Sequence, residues 1–416
     1  MKKCSLGILL ACLLCVLPVP IKAVSTVQLH STYALVADLN TLQTIYGEKE
    51  DDKLYPASMT KVLTVLTAMD QIDDLDKEVT ITPEMLVGLE DGVYSLAGFL
   101  NGEVITMRDL LYGAMLPSGA DACQALAVEL FGNEENMVDE MNKKAQSIGM
   151  EHSHFTNTVG MHDDDHYTTA SDLALLMKAA WSNEEIKTAM STKTYSTSSS
   201  YYHGEGLSLK NTWMYQLQAA GIDDTHVIGG KTGYTPEAGY CFFGVCEIDE
   251  QSVIVVVAKY EDDEDSVGMG SMLDIENLCT FVEEQKQPVL LAEKGDLIAK
   301  LDLRYTFHEP LSLTTPCDLI VWVDQTSDEK PQIQVENKKS QAPVAKGELI
   351  AEAVILYDDK EAASVAILAD QTIDRDITAV IVDTLTDLVW PYGLVIMLAA
   401  AAGGLLIGRK KKLRKK

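Results

Sequence analysis

Pro56-Ala-Ser58-Met-Thr-Lys61 sets a hydroxyl and an amine three residues apart at the head of an apolar-periodic stretch. On a helix, positions i and i+3 share a face, so Ser58 Oγ and Lys61 Nζ can meet one turn apart. A neutral amine there would take the serine's proton and activate it as a nucleophile. A helix N-terminus adds free backbone N–H groups and the positive dipole end, both suited to an oxyanion. Leu116-Pro-Ser118-Gly-Ala-Asp-Ala122 places a second serine at a turn-to-helix junction. By itself it reads as a helix N-cap, with Asp three residues on as in a capping box. Gly229-Gly-Lys231-Thr-Gly-Tyr-Thr235 leads into a strand. Lys231 and Thr232 would present an ammonium and a hydroxyl to an anionic peptide end, and Gly233 would let a substrate backbone approach closely.

These groups need a scaffold, and the chain reads as α+β. Tyr33–Asp38 and Gln43–Tyr46 flank an Asn40-containing turn, a hairpin signal. Val62, Leu63, Leu66, Met69 and Ile72 form one apolar stripe behind Ser58. Helical patterns follow at about 108–116, 120–131, 134–148 and 171–180. Strand patterns follow at 239–246 and 252–258, and a last helix at 271–284. After Glu284-Gln-Lys-Gln-Pro288 the texture changes. Lys300–Phe307, Gln332–Glu336 and part of Leu349–Leu356 alternate with period 2, which predicts an all-β module over 289–385. Ser327-Asp-Glu-Lys330 repeats the Ser-x-x-Lys spacing within that module, but no apolar stripe follows it, so it reads as solvated surface. Ser196–Ser200 reads as a polar loop, and no internal repeat is visible.

The 416 residues sum to −30, and the sum hides an asymmetry. Ten of the 33 basic residues lie in two acid-free ends, 1–23 and 388–416, which leaves 23 against 63 acids, or −40, for the body. No net basic surface is available for nucleic acid. Lys2, Lys3, an apolar run and Ala23 make residues 1–23 a secretory signal. Leu388–Gly408 is uncharged and abuts the basic tail 409–416, with Trp390 and Tyr392 at its other end. That predicts a single transmembrane helix at 388–408 with a cytoplasmic C-terminus and an extracytoplasmic body. The five cysteines outside the signal show no disulfide spacing and read as small buried residues. His152, His154, His162 and His166 beside Asp163–Asp165 have metal-like spacing without a further ligand set, so no metal is expected. Glu261–Asp265 reads as a solvated acidic loop.

About one or two Ser-x-x-Lys arise by chance in a chain this long, but the three motifs in this order are far more specific. Leu54–Thr64, Leu116–Ala122, Phe155–Met161, His166–Ala174 and Gly230–Cys241 closely resemble the serine-type D-alanyl-D-alanine carboxypeptidases, the low-molecular-mass penicillin-binding proteins. The resemblance covers about 27–283 by motif and the rest by architecture. It implies a β-lactamase/transpeptidase-like catalytic domain over 24–284, an antiparallel sheet with a helical subdomain, and no cofactor. It implies that Ser58 is acylated by peptidoglycan stem peptides and by β-lactam antibiotics, with Lys61 as base, held neutral by burial and by the charge of Lys231. Ser118 would relay a proton to the leaving amine. Lys231 and Thr232 would bind the terminal carboxylate, and the backbone N–H groups of Ser58 and Tyr234 would form the oxyanion hole. One residue departs from the pattern: the family's second motif is usually Ser-x-Asn, and Ala120 holds the Asn place. Two other functions share parts of this signature, a serine β-lactamase and a membrane-tethered wall-binding protein with an impaired site. No Glu-x-x-x-Asn deacylation motif supports the first, and the intact Ser58, Lys61, Ser118, Lys231 and Thr232 oppose the second.

Overall fold

The computed structural model describes residues 27–89, 93–222, 225–261 and 269–387. Strands Tyr33–Asp38 (β1) and Thr44–Glu48 (β2) form the expected antiparallel hairpin. Helix Thr60–Met69 (α1) follows, then a two-stranded ribbon of Glu78–Thr80 (β3) and Val104–Thr106 (β4). Helices Met107–Met115 (α2), Ala120–Phe131 (α3), Glu134–Ser147 (α4), Ala170–Trp181 (α5) and Glu184–Ser191 (α6) come next. A second ribbon of Thr194–Ser196 (β5) and Ser208–Lys210 (β6) leads to helix Thr212–Ala220 (α7). Strands Val227–Thr235 (β7), Gly239–Ile248 (β8) and Gln251–Tyr260 (β9) complete the main sheet, and helix Met269–Gln285 (α8) covers it.

The five main strands run in the order β2-β1-β9-β8-β7, all antiparallel. Period 2 explains how one sheet serves two cores. On β9, Ile254, Val256 and Ala258 join the core under the helical region, while Val253, Val255 and Val257 join the opposite one under α7 and α8. A sheet buried on both faces needs a continuous apolar run, and Val253–Ala258 supplies it. α1 differs from the single stripe its sequence suggests. Every residue from Thr60 to Ala68 is buried, and Ile72 lies beyond the helix end. α1 is therefore the centre of the helical region, packed against α2, α3, α4 and α5.

The β module pairs Lys286–Ala292 (β10) with Leu319–Asp324 (β13), and Leu297–Leu301 (β11) with Leu311–Thr314 (β12). Gln332–Asn337 (β14), Leu349–Tyr357 (β15) and Lys360–Leu368 (β16) form its three-stranded sheet. The strand expected over Lys300–Phe307 stops at Leu301. Tyr305 takes a left-handed φ of 64°, and the backbone at Arg304 bonds to Ser340 and Ala342 instead of continuing the ladder. A helical stretch over 377–387 ends the described chain. Among the described residues no helix is long and apolar enough to cross a membrane. The apolar segment 388–408, the basic tail 409–416 and the leader 1–23 lie outside the described residues.

Two polar devices tie these parts together. Trp322 of β13 is buried against the main sheet: its Nε1 donates to Asp38 Oδ2 (3.1 Å), and Gln43 pairs with its backbone N–H and C=O at 2.6 and 2.9 Å. At the head of β7, His226 lies between two carboxylates of α8, 2.6 Å from Glu276 Oε2 and 3.1 Å from Glu283 Oε1. The hydrogen bond from Glu276 is the main cause that raises His226 from 6.5 to about 9. A raised folded-state value gives stability that is full below the unfolded value and is lost as pH rises through the folded one. His226→Gln should therefore lower the melting temperature at pH 6–7, and the gap to the parent should close as melts are repeated through pH 9 to 10. A gap independent of pH would show that the clamp does not act through its charge.

Candidate active site

Ser58 sits in a short 3₁₀ turn, Ala57–Met59, that runs directly into α1. The turn is strained, since Ala57 has φ = 46°, a left-handed value costing of order 1–3 kcal/mol for a residue with a side chain. Two glycines allow the surrounding chain to close on it. A Cβ on Gly160, itself at φ = 82°, would stand 1.7 Å from the Ala57 carbonyl oxygen. A Cβ on Gly233 would come within 3.0 Å of Pro56 O and 3.2 Å of Ser58 N. The bare face of Gly233 thus makes room first for the enzyme's own nucleophile turn, where its sequence suggested clearance for a substrate. The β7 strand that carries it is the sheet's edge, as the motif predicts.

Lys61 Nζ lies 2.7 Å from Ser58 Oγ and donates to Val159 O at 2.8 Å. Lys231 Nζ reaches the Thr232 carbonyl at 3.1 Å. Both amines are buried, and among the described residues neither forms an ion pair with a carboxylate. Burial is the chief cause that lowers Lys61 from 10.5 to about 8, opposed in part by Cys123 and Asp121. Lys231 is held well below its usual value by burial first and then by the charge of Lys61. Burial is thus the chief cause at both lysines, as expected, and the charge between them acts on Lys231, second to burial. Cys123, buried beside them, is pushed up to about 12 and stays a thiol.

Ser118 does not cap α3. The cap is Gly119, which has no side-chain bond, and Ser118 sits at φ = 63° with its buried Oγ free of any partner among the described residues. Asp121, the expected partner in a capping box, instead accepts the backbone N–H groups of Ala97, Gly98 and Phe99. A strained serine with an unspent hydroxyl suits proton relay better than capping. Thr232 Oγ1 is 2.7 Å from Thr212 Oγ1, a partner with no sequence signal of its own. Tyr234 is half exposed, its ring 4.4 Å from that of Tyr240 at the rim of the site. Of the residues in Phe155–Met161 and His166–Ala174, Val159 meets Lys61, His166 meets Thr60, Gly160 abuts Ala57, and Asn157 bonds the 159–161 backbone.

The other tempting features disperse. His166 is buried with Nε2 2.8 Å from Thr60 Oγ1, and burial lowers it to about 4. His154 Nδ1 meets Asp165 O at 2.7 Å, and His162 lies edge-on to Tyr55. No group of metal-binding side chains occurs among the described residues. The five cysteines are free thiols, four of them buried. Of the acidic run, Glu261 pairs with Lys259, and 262–265 lie outside the described residues.

A serine hydroxyl in contact with a buried lysine amine, at the junction of an antiparallel sheet and a helical region, is the arrangement of a serine acyl-transfer hydrolase with a lysine in the place of a histidine base. Residues 21–261 match the D-alanyl-D-alanine carboxypeptidase family, peptidase family S11, and 287–375 match the C-terminal domain of penicillin-binding protein 5. The chain belongs to the D-alanyl-D-alanine carboxypeptidase family. It is 27% identical over 350 residues to D-alanyl-D-alanine carboxypeptidase DacF of Bacillus subtilis, covering 82% of this chain and 85% of that one. It is 26% identical to DacA of Haemophilus influenzae, covering 80% and 82%. Penicillin binding protein 5 from Haemophilus influenzae superposes with a TM-score of 0.64 at 24% identity, over 84% of this chain and 98% of that one.

Two outcomes follow from this geometry. Gly160→Ala should slow acylation of Ser58 by about two orders of magnitude or more, because the methyl must displace the Ala57 carbonyl and with it the nucleophile. Stopped-flow labelling with a fluorescent penicillin measures this. In the parent, the same rate should climb with pH as Lys61 loses its proton, reaching half its maximum near pH 8 and levelling off about one unit above.

Proposed function

We propose that this protein removes the terminal D-alanine from peptidoglycan stem pentapeptides through an acyl-enzyme on Ser58. The contact of 2.7 Å between Ser58 Oγ and Lys61 Nζ carries this reading. Lys61 takes the serine proton as Oγ attacks the carbonyl between the two D-alanines. The oxyanion forms against the backbone N–H groups of Ser58 and Tyr234, on the two elements that pack together where β7 meets the 3₁₀ turn. Ser118, its hydroxyl unengaged, gives its proton to the departing amine and takes the one Lys61 received from Ser58, which leaves Lys61 neutral again. The terminal carboxylate binds Lys231 and Thr232, and its arrival supplies the anion that the buried Lys231 lacks. Water then cleaves the ester with Lys61 again as base. A β-lactam, whose carboxylate and amide occupy the same positions, acylates Ser58 and blocks the site.

The same proposal places the enzyme outside the cytoplasm. The leader 1–23 exports it, the apolar segment 388–408 anchors it, and the basic tail 409–416 remains on the cytoplasmic side. The β module then stands between membrane and catalytic domain. Ala120 leaves one polar group fewer at the site than is usual in the family, a loss of a few kcal/mol that slows such an enzyme without abolishing it.

The test is release of D-alanine from a synthetic pentapeptide, followed together with covalent labelling by penicillin. The parent should do both and Ser58→Ala neither. Turnover of penicillin far faster than of the peptide would favour a β-lactamase, and labelling that persists in Ser58→Ala would sink the assignment of the nucleophile.

A further inference from the structure

A neutral lysine amine has two N–H bonds and one lone pair. To accept the Ser58 proton, the lone pair must face Oγ, so an N–H must be held in another direction. The Val159 carbonyl, 2.8 Å from Lys61 Nζ, is the acceptor that does this. No group from α3 shares the task. Cys123 leads the charged or ionisable groups that act on Lys61, and Ala120 lies one turn earlier on the same helix face, where it offers only a buried methyl. Asp121 is turned away to the 97–99 backbone.

The carbonyl is itself fixed from behind. Asn157 Oδ1 accepts from the backbone N–H groups of Val159 (3.2 Å), Gly160 (2.8 Å) and Met161 (2.9 Å), and Asn157 Nδ2 donates to Met161 O (2.8 Å). One side chain thus fixes the whole 157–161 turn. The residue before it, Thr156, donates its N–H to His166 Nδ1 at 3.1 Å. Since Nδ1 accepts, the ring proton is on Nε2 and is donated to Thr60 Oγ1. Thr60 stands between Ser58 and Lys61, so the imidazole bridges the start of α1 to the turn that orients the base. Burial keeps this ring neutral far below the working range of the base, so the tautomer is stable.

We infer that Asn157 and His166 are positioning residues for acyl transfer, holding the Val159 carbonyl on Lys61 and so aiming the amine's lone pair at Ser58. This rests on the reading of Lys61 as general base. Failure of the parent to be acylated would sink that reading itself, whereas the experiments below can fail only the inference.

Acylation of the full chain by a fluorescent penicillin is measured for the parent, Asn157→Ala, Ala120→Asn and the double variant. Saturation labelling reports the competent fraction of each. Asn157→Ala should acylate about 30- to 100-fold more slowly per competent molecule, the scale of a misplaced catalytic group. An amide introduced at 120 offers Lys61 a substitute acceptor, so it should accelerate the Asn157→Ala background about tenfold more than it changes the parent. Equal factors in both backgrounds would mean that Asn157 serves folding alone and would overturn the inference. His166 has its own arm, which also decides the matter if Asn157→Ala does not fold. His166→Gln, which keeps one donor and one acceptor, should stay within about threefold of the parent in kcat. His166→Ala should lose about tenfold or more in kcat with KM for the pentapeptide unchanged. Equal kcat for the two variants, or a loss confined to KM, would remove His166 from this role.

Discussion

Two lysine amines are buried in this protein with no ion-paired carboxylate among the described residues, and the catalytic domain is organised around that fact. An ammonium placed so would ordinarily be expensive to bury, and the group responds by releasing its proton more easily. Such a site cannot be built on a surface loop. It needs α1 enclosed on every side, a sheet edge pressed against the nucleophile turn, and a loop that enters the helical region to meet Lys61. The left-handed backbone at Ala57 and Ser118 follows from the same requirement. Each serine must present its hydroxyl inward from a turn that has no room to relax.

Much of this was legible in the sequence because local chemistry and local periodicity agree there. The hairpin at β1 and β2, the helices α2 to α5 and the central strands β8 and β9 fall within a few residues of their patterns. Ser58, Lys61, Lys231 and Thr232 come together because helix spacing and an edge strand place them. What the sequence did not show depends on long-range contact. α1 reads as amphipathic because Lys61, Thr64 and Thr67 are polar, yet tertiary partners bury all three: Thr64 Oγ1, for one, donates to Thr158 O at 2.7 Å. Ser118 looks like a cap until its backbone angle is known. The alternation over 300–307 loses to the backbone bonds that Arg304 makes 36 and 38 residues away, with Ser340 and Ala342. Gly160 lies in a family-like stretch that carries no sign of its purpose; its role exists only where it meets Ala57.

The acidity of the body has a comparable lesson. A sum of −40 over residues 24–387 would repel an anionic peptide end at long range, but exposed acids are screened by water and salt, and several stand in exposed ion pairs. Lys231 acts at short range and low dielectric, where its contact with a carboxylate outweighs a distant, solvated excess of negative charge.

The seam made by Trp322 lies at Asp38 and Gln43, on the β1–β2 side of the sheet, while Ser58 meets β7 at the opposite edge. Four strand-to-strand steps of about 4.8 Å separate those edges, roughly 19 Å of hydrogen-bonded ladder buried on both faces. The sheet is therefore a stiff crossbeam with the β module fastened at one end and the reaction carried out at the other. A turn of the module about that seam sweeps the catalytic mouth through an arc without altering a distance inside it. Placement and chemistry can thus vary independently: a longer or tilted module moves the far edge of the sheet and leaves Ser58 and Lys61 as they are.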